Sequence, residues 1–389
     1  MNDAMDERVI PDRRSIDPTR PNWMEIDLRA LDHNFGVIRA MVGPDVRIIP
    51  CVKSAAFGHG LVELSQRLVE LGARTIFCGS CADAGMLRRA GLDRPDLVIF
   101  GSTLPAGIPA LLRLGLIPTV HQLELAEAVS SAATGPTRVY VKVDSGRGRL
   151  GLPIRTAEDT ILSIARMPNI VIEGLYTHLP FADAEGAAFA RERTRRFGDL
   201  VGRLRARGLD IPVTQARSSS GILYGIEDGC NAVAPGSLLF GKTSLPLAMA
   251  DVSGLRPVLS AVRTRIIHLS ADAADRTPGT ALRYADLVTG PTGVVPFGRA
   301  DGHPVAAPGR SAFALVKGVK APVLSVSSEQ AVLDLSDVPY PAVGDEVTIL
   351  GADGGLAITL ADLAGWQGSS MNDVLLMMRG RTPLLFIER

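Results

Sequence analysis

Between about residues 24 and 243, short apolar runs alternate with longer stretches whose apolar positions recur at helical spacing. Leu28 to Val42 predicts a helix, with Leu31, Phe35, Ile38 and Met41 as its apolar positions. Apolar runs at Arg47–Lys53, Thr75–Gly79, Asp96–Gly101, Ile117–His121, Arg138–Asp144, Ile170–His178, Pro212–Ser218 and Ala232–Gly241 predict eight strands. Helical stretches such as Leu61–Leu71, Ala82–Arg89, Leu123–Ala132, Ala157–Arg166 and Glu185–Arg207 follow most of them. Continuous apolar strands separated by helices indicate a parallel sheet buried on both faces. Eight such units predict an α/β fold, a (β/α)8 TIM-like barrel over residues 21–245, in preference to an open doubly wound sheet. The eighth run is short and glycine-rich.

The pattern changes after about Leu245. Residues 255–350 carry alternating runs such as Ser260–His268, Val294–Phe297, Phe313–Val319, Pro322–Val326 and Glu346–Leu350, punctuated by Gly, Pro and Asp. A helical stretch at Ser370–Arg379 and an apolar segment at Leu384–Ile387 close the chain. Residues 246–389 therefore read as a C-terminal mostly-β domain. Residues 1–20, charged and proline-containing with no apolar core, read as an N-terminal tail.

The totals narrow the function classes. A chain of 389 residues, 46% hydrophobic, is long enough for two domains and a large core. Forty-one basic and 41 acidic residues cancel, so no global field recruits nucleic acid or an anionic membrane. No run approaches the ~20 apolar residues that span a bilayer. The 4 cysteines make no disulfide framework at this length, and a cytoplasmic location fits. Cys78 and Cys81 form the only CxxC, and no second pair or His-x-x-x-His completes a zinc set, so no metal site is predicted. The arginine-rich stretch Arg191–Arg207 reads as the solvated face of a barrel helix.

The first candidate strand ends in Cys51-Val52-Lys53-Ser54-Ala55-Ala56-Phe57-Gly58-His59-Gly60. A lysine leaving a buried strand is costly to desolvate, and burial lowers its pKa toward the free amine that reacts with carbonyls. The segment resembles the pyridoxal-phosphate lysine motif of the alanine racemase family, Val-Lys-Ala-Asn-Ala-Tyr-Gly-His-Gly. Trp23-Met24-Glu25-Ile26-Asp27-Leu28 is similar to that family's Trp-x-Glu-Ile-Asp-Leu, and Val295-Pro296-Phe297-Gly298-Arg299-Ala300-Asp301-Gly302 to its Ile-Pro-x-Gly-Tyr-Ala-Asp-Gly. The resemblance runs from about Trp23 to the C-terminus. It implies a fold-type III enzyme whose cofactor is pyridoxal 5′-phosphate, bound through Lys53.

The same resemblance assigns further residues. Lys142-Val143-Asp144-Ser145-Gly146-Arg147-Gly148-Arg149-Leu150-Gly151 is similar to Lys-Val-Asp-Thr-Gly-Met-x-Arg-Leu-Gly. It implies that Arg149 contacts the cofactor's phenolic oxygen and the substrate carboxylate, which a planar guanidinium suits. Lys142 corresponds to a lysine carbamylated in some relatives. Tyr176-Thr177-His178 resembles Phe-Thr-His and places His178 near the pyridine ring. Ser218 corresponds to a serine that bonds the phosphate, and Gly236 and Ser237 to residues whose amides hold it. Tyr284, in Leu282-Arg283-Tyr284-Ala285-Asp286, stands where the family carries its second catalytic base, supplied by the partner subunit of a homodimer. Racemisation needs a base on each face of Cα, and one lysine cannot serve both.

Several positions depart from the family pattern. Ala234 stands where racemases carry an arginine that bonds the pyridine nitrogen, and Arg217, replacing an asparagine, is the candidate to reach that space. Phe57 and Asn372 each replace a phosphate-side tyrosine. Arg299 replaces a tyrosine at the substrate entrance, and Ser327-Ser328-Glu329-Gln330 replaces Cys-Met-Asp-Gln along the substrate pocket. Arg299, Ser328 and Glu329 suit a substrate larger or more polar than alanine, because a methyl group leaves polar partners unpaired.

The sequence thus reads as a pyridoxal-phosphate-dependent amino-acid racemase or epimerase, interconverting L and D forms by two-base proton transfer between Lys53 and Tyr284. Loss of the pyridine-side arginine leaves open other α-carbon chemistry on the same cofactor, such as decarboxylation, elimination or α-proton exchange. A non-catalytic cofactor-binding homologue is a third reading, against which Lys53, Arg149, Tyr284 and the β domain all count.

Overall fold

The computed structural model describes residues 16–388 apart from Ser102, Ser244, Leu247 and residues 271–289. Tyr284, and residues 1–15 of the expected tail, lie outside the described residues. In chain order the strands are β1 (Trp23–Asp27), β2 (Arg47–Ile48), β3 (Thr75–Cys78), β4 (Asp96–Ile99), β5 (Ile117–Val120), β6 (Thr137–Asp144), β7 (Leu152–Pro153), β8 (Ile170–Tyr176), β9 (Val213–Ser218) and β10 (Ala232–Ala234). They continue with β11 (Leu259–Arg265), β12 (His268–Ser270), β13 (Thr292–Val295), β14 (Phe313–Val316), β15 (Val319–Val326), β16 (Ala331–Asp334), β17 (Glu346–Asp353), β18 (Leu356–Ile358) and β19 (Leu384–Ile387).

Two compact units emerge. One comprises Arg29–Ala56 and Gly60–Val258. Its sheet runs β2-β10-β9-β8-β6-β5-β4-β3, with β7 beside β6, and its pairs are parallel. The ring closes between its first and last strands: the Phe77 N–H donates to the Pro50 carbonyl (2.8 Å) and the Val52 N–H to the Phe77 carbonyl (3.0 Å). Alternation along each strand sorts two apolar layers. Ile49, Phe77, Val98, Ile117, Tyr140, Tyr176, Val213 and Ala232 fill the barrel. Val139, Val141, Val143, Leu175 and Ala216 face outward, onto helical residues such as Ile161, Phe197 and Leu204. Phe77 anchors the interior, edge-on to Tyr140 at 5.8 Å and tilted against Tyr176 at 5.3 Å between centroids.

The expected helices are present, with others at Ile108–Arg113 and Ser219–Leu223. The arginine-rich helix Ala184–Ala206 does present a solvated charged face, on which Arg195 and Arg196 pair with Glu192. The eighth strand is shorter than expected: β10 stops at Ala234, and Ser237–Phe240 forms a 3-10 turn. The unit also reaches beyond residue 245, because the Asn34 side chain bonds both the carbonyl (2.7 Å) and the N–H (2.8 Å) of Arg256.

The other unit comprises the described residues up to Leu28, Phe57–His59, and 259 onward. Its sheet follows the order β12-β13-β16-β15-β14-β17-β11-β1-β19, with β18 beside β17. Strand β1, expected with the barrel, belongs here, antiparallel to β11 and parallel to β19. The reason is a buried charge. Glu25 is fully buried in β1, accepts from the Trp23 indole N–H (3.1 Å), and meets its counter-ion Arg263 on β11 (3.3 Å). A carboxylate removed from water needs such a partner. Among the described residues, no helix is long and apolar enough to cross a membrane.

Candidate active site at the barrel mouth

The side chains that carry chemistry in the barrel unit gather where the strands end. Lys53 follows the Cys51–Phe77 bridge. It opens not a normal helix but a left-handed turn. Ser54, Ala55, Ala56 and Phe57 have φ of 55°, 55°, 54° and 56°. Each non-glycine residue in this region costs about 1–2 kcal/mol, so the surrounding fold holds this backbone in place. Small side chains at positions 54 to 56 suit it.

On β6, Val139, Val141 and Val143 face the helices, so Tyr140, Lys142 and Asp144 face inward. Lys142 is 4% exposed; burial first, and then the neighbouring Arg149 charge, lower its pKa to about 8. Asp144 accepts the N–H groups of Gly146 (2.9 Å), Arg147 (2.7 Å) and Gly148 (2.8 Å), closing the loop that presents Arg147 and Arg149. Burial alone raises the Asp144 pKa, but these amides and that of Arg149 outweigh it, holding the carboxyl below its ordinary range. Gly151 ends the loop at φ 140°, where a Cβ would lie 2.4 Å from the Asp144 nitrogen. The loop is also tied to β8, since the Thr177 hydroxyl donates to the Ser145 hydroxyl at 3.0 Å.

His178 follows β8. Its pKa falls to about 3, through burial and then the charges of Lys53, Lys142, Arg147 and Arg149. It is a neutral imidazole at neutral pH. Ser218 ends β9 and is buried. The next serine organises the backbone: the Gly236 and Leu238 N–H groups both donate to Ser219 Oγ, at 3.0 and 3.3 Å. Ser219 Oγ is thus the acceptor that fixes the turn after β10. Arg217 is committed elsewhere, its Nε 3.0 Å from the buried carboxylate of Asp228.

The structure thus brings Lys53, Lys142, Arg149, His178, Ser218, Gly236 and Ser237 to one end of the barrel unit. Arg299 and Ser328 are neighbours in the β unit, where the Arg299 and Ala300 N–H groups donate to the carbonyls of Ser327 (3.0 Å) and Ser328 (2.9 Å). Arg299 Nε donates to the Val326 carbonyl at 3.2 Å, and Glu329 pairs with Arg381 (3.0 Å) and Arg20 (3.3 Å).

Four residues of the mouth escaped the sequence reading. Ser219 stood one position from the expected serine. Arg147 was passed over beside Arg149. His121, directly after β5, has its pKa lowered by burial and Lys142. Lys242, 7% exposed, has a pKa lowered to about 7 by burial and then Lys53. Its signal was available: a lone lysine just after the apolar run Leu238-Leu239-Phe240.

A closed (β/α)8 barrel with a lysine at a strand end and a cationic mouth, on a chain that also carries a mostly-β unit, defines the fold-type III class. The chain belongs to the alanine racemase family: the family's N-terminal domain matches residues 26–244 and its C-terminal domain residues 259–386. It is 32% identical over 373 residues to an alanine racemase of Halothermothrix orenii, covering 94% of this chain and 96% of that one. It is 31% identical to an alanine racemase of Desulfosudis oleivorans, with coverage of 94% and 96%. A solved alanine racemase of Clostridium difficile 630 has the same fold, with a TM-score of 0.85 at 23% identity over 96% of this chain and 97% of that chain.

Proposed function

We propose that this protein is a pyridoxal 5′-phosphate-dependent alanine racemase, a cytoplasmic enzyme that works as a homodimer. One observation carries the reading. Lys53 ends a strand of a closed barrel, near the charges of Lys142, Arg147 and Arg149, in a chain similar over 94% of its length to an alanine racemase. The donor set fits the cofactor. Buried Ser218 and the turn that starts at Gly236 would offer hydroxyl and amide donors to its phosphate, and Lys53 the amine that bonds its carbonyl. Gly236, Ser237, Ser218 and Ser219 would hold the phosphate, with His178 beside the ring. Bound there, pyridoxal phosphate supplies an electron sink for loss of the α-proton.

The chain's own residues do the rest. Lys53 Nζ takes or returns the proton on one face of Cα and the Tyr284 hydroxyl on the other, Tyr284 being contributed by the partner subunit. Arg149 orients the substrate carboxylate. His178, neutral at neutral pH, supports the ring by packing and does not exchange the proton. Lys142, with its lowered pKa, offers a free amine that carbon dioxide can carbamylate, which would replace a positive neighbour of Arg149 by a negative one. All four cysteines are free thiols, in keeping with a reducing compartment.

Alanine is favoured as substrate over a larger amino acid. Two of the side chains that suggested a bigger or more polar substrate are engaged within the β unit, Arg299 by the Val326 carbonyl and Glu329 by Arg20 and Arg381. Similarity to alanine racemases across both domains likewise favours racemisation over other α-carbon chemistry. The test is to incubate the purified protein, supplied with pyridoxal phosphate, with L-alanine in heavy water. Loss of the α-proton signal together with appearance of D-alanine is expected. Exchange with retained chirality, or no exchange, refutes the reading.

A further inference from the structure

The loop between β6 and β7 carries Arg149, yet packing does not hold its tip. Gly146, Arg147, Gly148 and Arg149 are all exposed. Their position therefore rests on what grips the base of the loop. Two grips lie within the loop's own strands. Strands β6 and β7 pair in parallel, Val143 beside Leu152 and Asp144 beside Pro153, and the Ile154 N–H donates to the Asp144 carbonyl at 3.2 Å. The Asp144 carboxylate takes the amides of Gly146, Arg147 and Gly148. These bonds set the loop's internal shape. They do not set its direction against the neighbouring strand β8, because the ladder between β6 and β8 ends at Lys142 and Tyr176.

Thr177, one residue past that end, takes over. Its hydroxyl donates to the Ser145 hydroxyl at 3.0 Å, and both residues are 1% exposed. Its backbone N–H donates to the Gln215 carbonyl of β9, also at 3.0 Å. Thr177 thereby joins three strand ends: the β6 loop with Arg149, its own strand with His178 next in sequence, and β9, which ends at Ser218. The other side of the loop is closed by the helix Ala184–Ala206, since a Cβ at Gly146, where φ is 123°, would stand 3.0 Å from the Phe189 ring. A buried hydroxyl pair is directional, and breaking it from one side leaves the other hydroxyl without a bond.

We propose that Ser145 and Thr177 are positioning residues of the racemase reaction: their bond sets the direction in which the loop presents Arg149 to the substrate carboxylate, in register with His178. The proposal rests on the function proposed above, deepens it by naming how the carboxylate-binding arginine is aimed, and assigns neither residue a contact with substrate or cofactor.

Steady-state kinetics of the holoenzyme on L-alanine test it. Thr177→Val keeps the shape of the side chain and loses the donor. It should raise the KM for alanine and lower kcat/KM by about threefold to tenfold, the range of one neutral hydrogen bond, with the dissociation constant of pyridoxal phosphate unchanged. The double variant Ser145→Ala/Thr177→Val leaves no hydroxyl of the pair stranded, so its melting temperature should return toward that of the wild type while its kinetic loss remains. It carries the comparison alone if Thr177→Val does not fold. Thr177→Ser restores the donor and should restore KM. Recovery of kcat/KM in the double variant, wild-type KM in both valine variants, or an equal loss of pyridoxal phosphate affinity overturns the proposal and leaves the racemase reading intact. Wild-type protein that racemises no alanine overturns both.

Discussion

The Lys142 ammonium lies 5.6 Å from the centre of the Tyr176 ring, inside the barrel mouth. Tyr176 has no free hydroxyl to offer it, because that group already meets the Thr119 hydroxyl at 3.1 Å. The lysine therefore faces an aromatic surface in a poorly hydrated site crowded by Arg149, Arg147 and Lys53, and its pKa drops to about 8. Carbamylation requires the neutral amine, so capture of carbon dioxide should strengthen as pH rises through about 8. Protein equilibrated with 13C-bicarbonate should show a carbamate carbon resonance that is missing from Lys142→Met. An unchanged spectrum in that variant would place the carbamate elsewhere.

His178 gives a pH dependence of stability. Its folded pKa is about 3, against an ordinary value of 6.5. Between these values the unfolded chain binds a proton that the folded imidazole refuses, so stability falls as pH drops from 6.5 toward 3 and is insensitive to this group above 6.5. His178→Gln should flatten that acid limb in melting temperatures measured across the window. The wild-type imidazole should show no titration by NMR between pH 5 and 8.

Asp144 acts on the substrate side through the loop that it closes. Its carboxylate receives three amides within 2.9 Å, and the same loop carries Arg149. Asp144→Ala leaves those N–H groups without their acceptor and frees the arginine from its preset position. The expected result is a loss of about tenfold to a hundredfold in kcat/KM for alanine, the size of one charge-assisted interaction. Because Asp144 touches the loop and not the phosphate turn, pyridoxal phosphate affinity should change far less. A drop confined to cofactor affinity would contradict this role.

The barrel was legible because its strands are continuously apolar and its helices periodic, and both patterns survive without tertiary knowledge. The lysine and arginine loops were legible as local strings. What the sequence concealed are relationships between distant segments. Residues 23–27 fall within the expected barrel domain until Glu25 is seen to need Arg263, more than two hundred positions away. Arg217 reads as a substitute ligand until Asp228 claims it. Ser218 and Ser219 are indistinguishable in a run of serines, and only the direction of the Gly236 amide separates them. Lys242 belongs to no motif, though a lysine just after the buried run Leu238-Leu239-Phe240 carries its own physical signal.

The Glu25–Arg263 pair makes the last prediction. Glu25 is fully buried, holds the Trp23 indole N–H, and faces Arg263, which also contacts Glu346 (2.7 Å), the Thr348 hydroxyl (2.6 Å) and the Ala352 carbonyl (3.2 Å). Removing Glu25 takes the acceptor from the buried Trp23 indole N–H and one carboxylate from Arg263, while Glu346 still neutralises the guanidinium, a loss of about 1–3 kcal/mol. Glu25→Ala should therefore destabilise the β unit by that amount, whereas Lys320→Ala, at an exposed position of the same unit, should cost little. Both tryptophans, Trp23 and Trp366, lie in the β unit, so their fluorescence during denaturant unfolding reports on it. The midpoint of Glu25→Ala should move below that of the wild type. A midpoint unchanged within error would mean that the network is not what holds β1 to β11.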